Sequence, residues 1–377
     1  MRTIVIIACI IVLLAVGVYL LMQYYPPFGG KPSKEKLSKR FHASNYFNGR
    51  FYNTLHTSVN NSMTVTISML VHFMKGIPNG RPQEPLPVDT VDPLWIQTNQ
   101  QANVIWFGHS ALWVTIDGVK LLIDPMMGKS PSAFTFIGGK RYARPPIEID
   151  ELPMIDAILL SHDHYDHLDY SSIMQLKDKV NHFFVPLGLG AHLEKWGIGQ
   201  ERITEMDWWE EVSYKGVTLV NTPARHYTGR KIIDKEATLW CSWVIKGVNT
   251  KLFFSGDSGY GPHFEEIGQK YGPFDITLME CGQYDERWAG VHMNPEQTIQ
   301  AQIDLKGKLM IPIHWATFTL AFHDWTDPVE RAIKAADKND VAIATPRIGE
   351  IVWIGSSNYP TSTWWRTLGT DNNLSGE

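Results

Sequence analysis

Residues 158–169, ILLSHDHYDHLD, run an apolar stretch directly into three histidines and three aspartates. A short apolar run of this kind fits an inner strand of a sheet, so the polar cluster falls where that strand leaves the sheet. His162 and His164 stand two apart on extended backbone and project to one side, where both rings can reach one ion. The chain then turns, and Asp166 and His167 can aim at a second ion nearby. A loop of capping residues explains one such histidine but not the set H-x-H-x-D-H. Neutral imidazole and carboxylate suit zinc, and also manganese or iron. The only cysteines, Cys9, Cys241 and Cys281, have no paired spacing. A disulfide framework and a thiolate zinc site are therefore excluded, and any metal must be held by histidine and carboxylate.

A site for two ions needs further ligands, expected at other strand ends. His226 follows residues 220–225, Asp257 follows a strand at 252–255 in FFSGDSGY, and His314 ends a strand at 309–313. Gly256 and Gly259 let the backbone bend around Asp257. Asp124, in LLIDP, also ends a strand and is expected to orient a ligand histidine from behind. His42, His56, His72, His182, His192 and His263 lack a strand-end setting and read as surface or core residues, and His323 has no assignment.

The 377 residues are 44% apolar and 12% aromatic, enough for a substantial core. A formal charge of -5 provides no basic field for nucleic acid. Strands are expected at 104–107, 111–116, 119–123, 155–160, 182–185, 218–221, 239–245, 252–255, 276–279 and 309–313, with Asp117-Gly118 as a hairpin turn. Helices are expected at 170–177, capped by Asp169, and after Asn294-Pro295-Glu296-Gln297, a reciprocal cap with proline at the first position. Hairpins interspersed with helices predict an α+β fold of two stacked mixed sheets covered by helices.

Residues 4–22, IVIIACIIVLLAVGVYLLM, have the length of a membrane span. The run is too long for a signal-peptide core, and Tyr24-Tyr25-Pro26-Pro27 follows it instead of a small-x-small cleavage site. Residues 1–23 are accordingly read as a single-pass transmembrane anchor. Lys31, Lys34, Lys36, Lys39 and Arg40 outweigh Arg2 across it and predict a cytoplasmic body. Residues 24–102 read as a tether and N-terminal extension, with a helix through Met63, Ile67, Leu70, Val71 and Met74. Residues 103–377 read as the catalytic domain, and a chain cut near Lys31 is expected to stay soluble and active.

The ligand order from His162 to His314 resembles that of the metallo-β-lactamase superfamily over residues 103–355. The stretches WFGHSALWVTIDGVKLLIDP, GGKRYARPP, TPARHYTGR, FFSGDSGY, PIHWATF and NYFNGRFYN resemble the N-acylphosphatidylethanolamine-hydrolysing phospholipase D family and its bacterial relatives. The resemblance implies a four-layer αββα sandwich and a two-zinc centre. In it His162, His164 and His226 hold one ion, Asp166, His167 and His314 the other, and Asp257 bridges them. It also implies hydrolysis of a phospholipid phosphodiester, with Asp257 and His292 (in GVHMNPE) as catalytic residues. Tyr227, Trp288 and Trp315 are read as lining an acyl-chain groove. The ligands alone serve equally a lactonase or other ester hydrolase on a soluble substrate. A metal-stabilised binding module without turnover is the third reading, and seven filled ligand positions argue against it.

Overall fold

Most strands of the body are apolar on both faces because both faces are covered. The computed structural model describes residues 1–33, 45–57, 67–69, 71–72, 75–231 and 234–368. A two-stranded ribbon, β1 (Tyr46–Phe47) and β2 (Arg50–Phe51), precedes the main sheets. The first main sheet has seven strands in the order β15 (Ile351–Trp353), β3 (Asn103–Trp106), β4 (Leu112–Ile116), β5 (Val119–Ile123), β6 (Ile155–Leu159), β7 (Val180–Pro186) and β8 (Ile203–Met206). The second has six: β14 (Met310–Ile313), β13 (Ile276–Glu280), β12 (Lys251–Phe254), β11 (Ser242–Lys246), β10 (Val217–Thr222) and β9 (Glu211–Tyr214). The first sheet is antiparallel from β15 through β3 and β4 to β5 and parallel from β5 to β8; the second is antiparallel from β9 to β12 and parallel from β12 to β14.

Alternation along the strands sorts the apolar residues into three layers of core. Leu112, Val114, Leu121 and Leu159 meet Leu219, Trp243, Ile245, Phe254 and Leu278 between the sheets. The intervening Trp113, Leu122 and Ile158 pack outward against α2 (Pro93–Thr98), α3 (Tyr170–Leu176) and α4 (Gly190–Lys195). On the far side Val244, Phe253 and Met279 pack against α5 (His263–Lys270), α6 (Pro295–Asp304) and α7 (Asp327–Lys338). The architecture is the four-layer αββα sandwich. Asp169 caps α3 by accepting from the Ser172 amide at 2.8 Å, and Asn294 and Gln297 close the expected reciprocal cap on α6. Residues 239–241 stay outside β11.

Helix α1 (Arg2–Tyr24) buries none of its residues and is long and apolar enough to cross a membrane. Residues 25–30, expected within a tether, instead lie against the body. The Trp196 indole donates to Pro26 O at 2.8 Å, Lys195 to Gly29 O at 3.0 Å, and Arg230 to Pro27 O at 2.7 and 2.9 Å. A Cβ on Gly30 would lie 1.9 Å from Ala191 O, so only glycine fits the approach. Of the helix expected through Met63 and Met74, residues 67–69, 71–72 and 75 are helical. Met63, Leu70 and Met74 lie outside the described residues, as do Lys34, Lys36, Lys39 and Arg40 of the expected basic flank.

Candidate metal centre

The parallel strands of both sheets release their C-terminal ends at one edge, and the ionisable side chains collect there. β6 leads into Ser161, His162, His164, Asp166 and His167, and β5 into Asp124. From the second sheet, β10 leads to His226, β12 to Asp257, β13 to Glu280 and β14 to His314. One group of donor atoms within 4.8 Å of one another comprises His162, His164, His226 and Asp257; another comprises His109, Asp166, His167 and His314. Asp257 joins them: His167 Nε2 and His314 Nδ1 lie 3.1 and 3.2 Å from its carboxylate, and His162 and His226 Nε2 each lie 3.8 Å away.

Hydrogen bonds behind the cluster set which nitrogen faces inward. Asp124 accepts from the Ser161 amide at 2.7 Å and from His167 Nδ1 at 2.7 Å. His167 Nε2 is thereby presented to the centre. His226 Nδ1 donates to Val291 O at 3.0 Å, turning its Nε2 inward. Ser161 Oγ donates to Asp124, so His162 Nδ1, 2.9 Å from that oxygen, is the donor between them. The backbone also yields to the site. His109, Asp124 and His314 all adopt positive φ (54°, 39° and 66°), each at a cost on the order of 1 kcal/mol for a residue with a Cβ.

Charge distribution matches a cation cage. Burial drives His162, His226 and His314 well below the ordinary histidine range, so they offer neutral lone pairs. Burial alone would raise Asp257 and Asp166, yet the surrounding histidines outweigh it and hold both carboxylates well below their usual range. His167 is the exception: burial opposes its charge, but Asp257, Asp166 and Asp124 together raise it. The three carboxylates thus favour positive charge at His167. His109 Nδ1 is buried without a hydrogen-bond partner, and His167 Nε2 and Asp257 Oδ1 have only the ion-pair approaches given above and no hydrogen bond, a burial that is expensive unless an ion completes the site. The donor set therefore fits divalent metal.

His109 and Glu280 join the site without having been singled out by the sequence. His109 Nε2 is 2.9 Å from Asp166 Oδ2 and its ring centre is 4.1 Å from that of His314. Its signal was available, since Phe107-Gly108-His109 follows directly on β3. Glu280 is the last residue of β13 and receives the Met293 amide at 2.8 Å, with His292 Nδ1 at 3.3 Å. His292 Nε2 faces Asp257 at 4.0 Å. Tyr227 stands beside the cluster, its ring 4.7 Å from His164 and 4.8 Å from His226. Trp288 is half-buried, donates to Gln283 O and lies 5.9 Å from Phe322. Trp315 does not line a groove: it is 1% exposed and stacks between Trp106 and Trp364 in the central core. A cavity of about 970 Å³ bounded by Tyr25, Met127, Lys140, Arg144, Tyr165 and Tyr170 includes none of the clustered ligands.

A profile for the beta-lactamase superfamily domain matches residues 120–315, the interval holding every clustered side chain except His109. The chain belongs to the beta-lactamase superfamily. It is 39% identical over 290 residues to an uncharacterised protein of Mycobacterium tuberculosis, covering 76% of this chain and 77% of that one. It is 32% identical over 284 residues to N-acyl-phosphatidylethanolamine-hydrolyzing phospholipase D 1 of Caenorhabditis elegans, covering 71% and 80%. Among solved structures, a metallo hydrolase of Ignicoccus hospitalis superposes with a TM-score of 0.51 at 22% identity, covering 67% of this chain and 97% of that one. That likeness concerns the fold. Family, fold and ligand cluster together make the chain a metal-dependent hydrolase of this superfamily.

Proposed function

We propose that the protein is a membrane-anchored phosphodiesterase with a two-zinc centre, cleaving N-acylphosphatidylethanolamine-like phospholipids to phosphatidic acid and an N-acylethanolamine. The observation that carries this reading is the meeting of two ligand trios on one carboxylate, in a chain 32% identical to a phospholipase D with that activity in its name. His162, His164 and His226 would hold one ion and Asp166, His167 and His314 the other, with Asp257 shared. Ring nitrogens in this number favour zinc, with manganese or iron as alternatives. Such ions supply Lewis acidity toward a phosphoryl oxygen and bring the pKa of water toward neutrality.

The chain's own residues supply the rest. Asp257 sets the negative charge that keeps two cations close. Asp124 and Val291 O lock the inward tautomers of His167 and His226, so the ligands need no reorganisation. Glu280 holds Nδ1 of His292 and raises its pKa against the opposing effect of burial. His292 thus keeps a proton beside the centre, suited for delivery to the departing alcohol oxygen. Tyr227 covers His164 and His226 and limits water around them. Helix α1 would hold the body at the bilayer, on the cytoplasmic side by the charge bias of its flanks.

Full-length protein in phospholipid vesicles containing N-acylphosphatidylethanolamine is expected to release both products, read by mass spectrometry. It should carry about two divalent ions per chain, fewer in His167→Ala. Hydrolysis of a simple lactone with no lipid cleavage would overturn the substrate, and metal-free active protein would overturn the centre. Protease that digests the body from outside intact cells would overturn the orientation.

A further inference from the structure

Loop 129–140 displays two apolar side chains to solvent at the place where α1 ends. Phe136 is 82% exposed and Ile137 51% exposed, although hydrogen bonds brace the loop at several points. Arg141 N closes the loop onto Lys129 O at 3.1 Å, Ile137 N bonds to Phe134 O at 3.0 Å, and Ser130 Oγ donates to Ile137 O at 2.6 Å. A loop braced in this way holds its tip out rather than letting it collapse. Its base is joined to the segment leaving α1: the Tyr25 hydroxyl donates to Ala133 O at 3.0 Å, and the Tyr25 ring stacks on Phe134 at 5.0 Å. Phe28 meets Phe134 at 5.9 Å, and Phe134 meets Phe136 at 5.6 Å. An aromatic string therefore runs from the end of the apolar helix to the tip of the loop. Lys129 and Lys140 flank it, both exposed, with no side-chain hydrogen bond or ion pair among the described residues.

We propose that this loop is a second membrane contact: Phe136 and Ile137 enter the acyl boundary of the bilayer that carries α1, and Lys129 and Lys140 meet its anionic headgroups. Aromatic and aliphatic tips flanked by lysines match the interfacial layer of a bilayer, where apolar area and anionic charge are found together. Continuity with α1 selects the occupant, because any bilayer spanned by that helix reaches Tyr25 and hence Phe134. The inference rests on the reading of α1 as a membrane anchor.

The test places an environment-sensitive nitrobenzoxadiazole dye on Ile137→Cys in a Cys9→Ser background, using full-length protein reconstituted in phosphatidylcholine vesicles with and without phosphatidylglycerol. Native Cys9, exposed on α1 while Cys241 and Cys281 are buried, carries the same dye in a parallel sample. The expected result is blue-shifted emission at position 137, quenching by acyl-chain nitroxides, and protection from aqueous iodide, strengthened by phosphatidylglycerol. Water-like emission at 137 with a lipid-quenched label at Cys9 overturns the loop contact and leaves the anchor standing. Water-like emission at both positions removes the anchor, and this inference with it.

Discussion

Asp257 sits within 4.0 Å of His162, His167, His226, His292 and His314. Asp257→Asn keeps the shape of the side chain and removes its charge. Turnover is expected to fall on the order of 10³-fold, about 4 kcal/mol of transition-state stabilisation, with an unchanged circular dichroism spectrum. Near-normal turnover with one metal lost would show that Asp257 does not join the two trios. His263 tests a histidine outside the cage. Its Nε2 is 3.0 Å from Ser258 Oγ, and burial, with a lesser effect of Arg225, lowers its pKa to about 3. The unfolded chain takes up that proton near pH 6.5 and the folded chain does not, so stability is lost as pH falls from that value toward 3. His263→Gln should remove up to about 1.4 kcal/mol of this loss per pH unit, read from urea midpoints between pH 7 and 5. An equal slope in both proteins would refute it. The residues legible in sequence were those in a dense motif or after a clear strand. His109 also follows a clear strand and was passed over because Gly108-His109-Ser110 resembles an ordinary turn; the fold brings it 2.9 Å from Asp166.

Among the elements, segment 25–30 departs furthest from expectation. Its sequence, YPPFGG, has the composition of a linker, and composition reports how a chain bends, not whether a surface waits for it. The glycines serve close approach here: Gly29 has φ +68° and its missing Cβ would lie 2.0 Å from His192 Nδ1. Gly30→Ala should lift the segment and cost about 1–3 kcal/mol, measured by thermal or urea unfolding; an unchanged midpoint would mean the segment is not docked. Against the sequence expectation of a soluble body, a chain cut at Lys31 uncovers Trp196, Phe134 and Arg230, so it should aggregate or unfold earlier than one starting at Gln23. Equal solubility and stability of the two would contradict this. Elements with dense apolar runs were readable, such as β4 and β6. Strands β8 and β9 were not, because their residues are mostly half-exposed or exposed. Helix α7 hides its inner face in Val329, Ala332, Ala335 and Ala336, a stripe too small to stand out from the sequence.

At the level of the whole molecule, ligands from both sheets meet at one edge, and metal should therefore couple to the stability of the sandwich. Removing it leaves Asp124, Asp166 and Asp257 packed among histidines with no compensating ion. Chelation is expected to lower the unfolding temperature by several degrees, about 2–4 °C for each kcal/mol of lost binding. Zinc should restore it and magnesium should not, since magnesium prefers oxygen ligands. An unfolding temperature indifferent to chelator would count against the cage. The layer order was within reach of pattern alone, because two alternating apolar sets demand cover on two faces. The strand ends bearing the ligands were also legible, and the family resemblance supplied their meeting; pattern alone did not, since that depends on two sheets stacking in register.

Arg230 adds a mechanical property to this arrangement. It donates to Pro27 O on one side and to Asp163 O and Leu168 O on the other, and those two carbonyls bracket His164, Asp166 and His167. If α1 spans a membrane as proposed, it is a mast and not a leash, stepped into the same loop that carries the candidate ligands. An enzyme mounted this way would not reach out for its substrate; its ligand edge would stay at one height above the lipid. Encounters would then be governed by drift of molecules within the plane of the bilayer. Turnover should track how freely lipids diffuse and how crowded the surface is, while the volume of the surrounding compartment has no bearing on it.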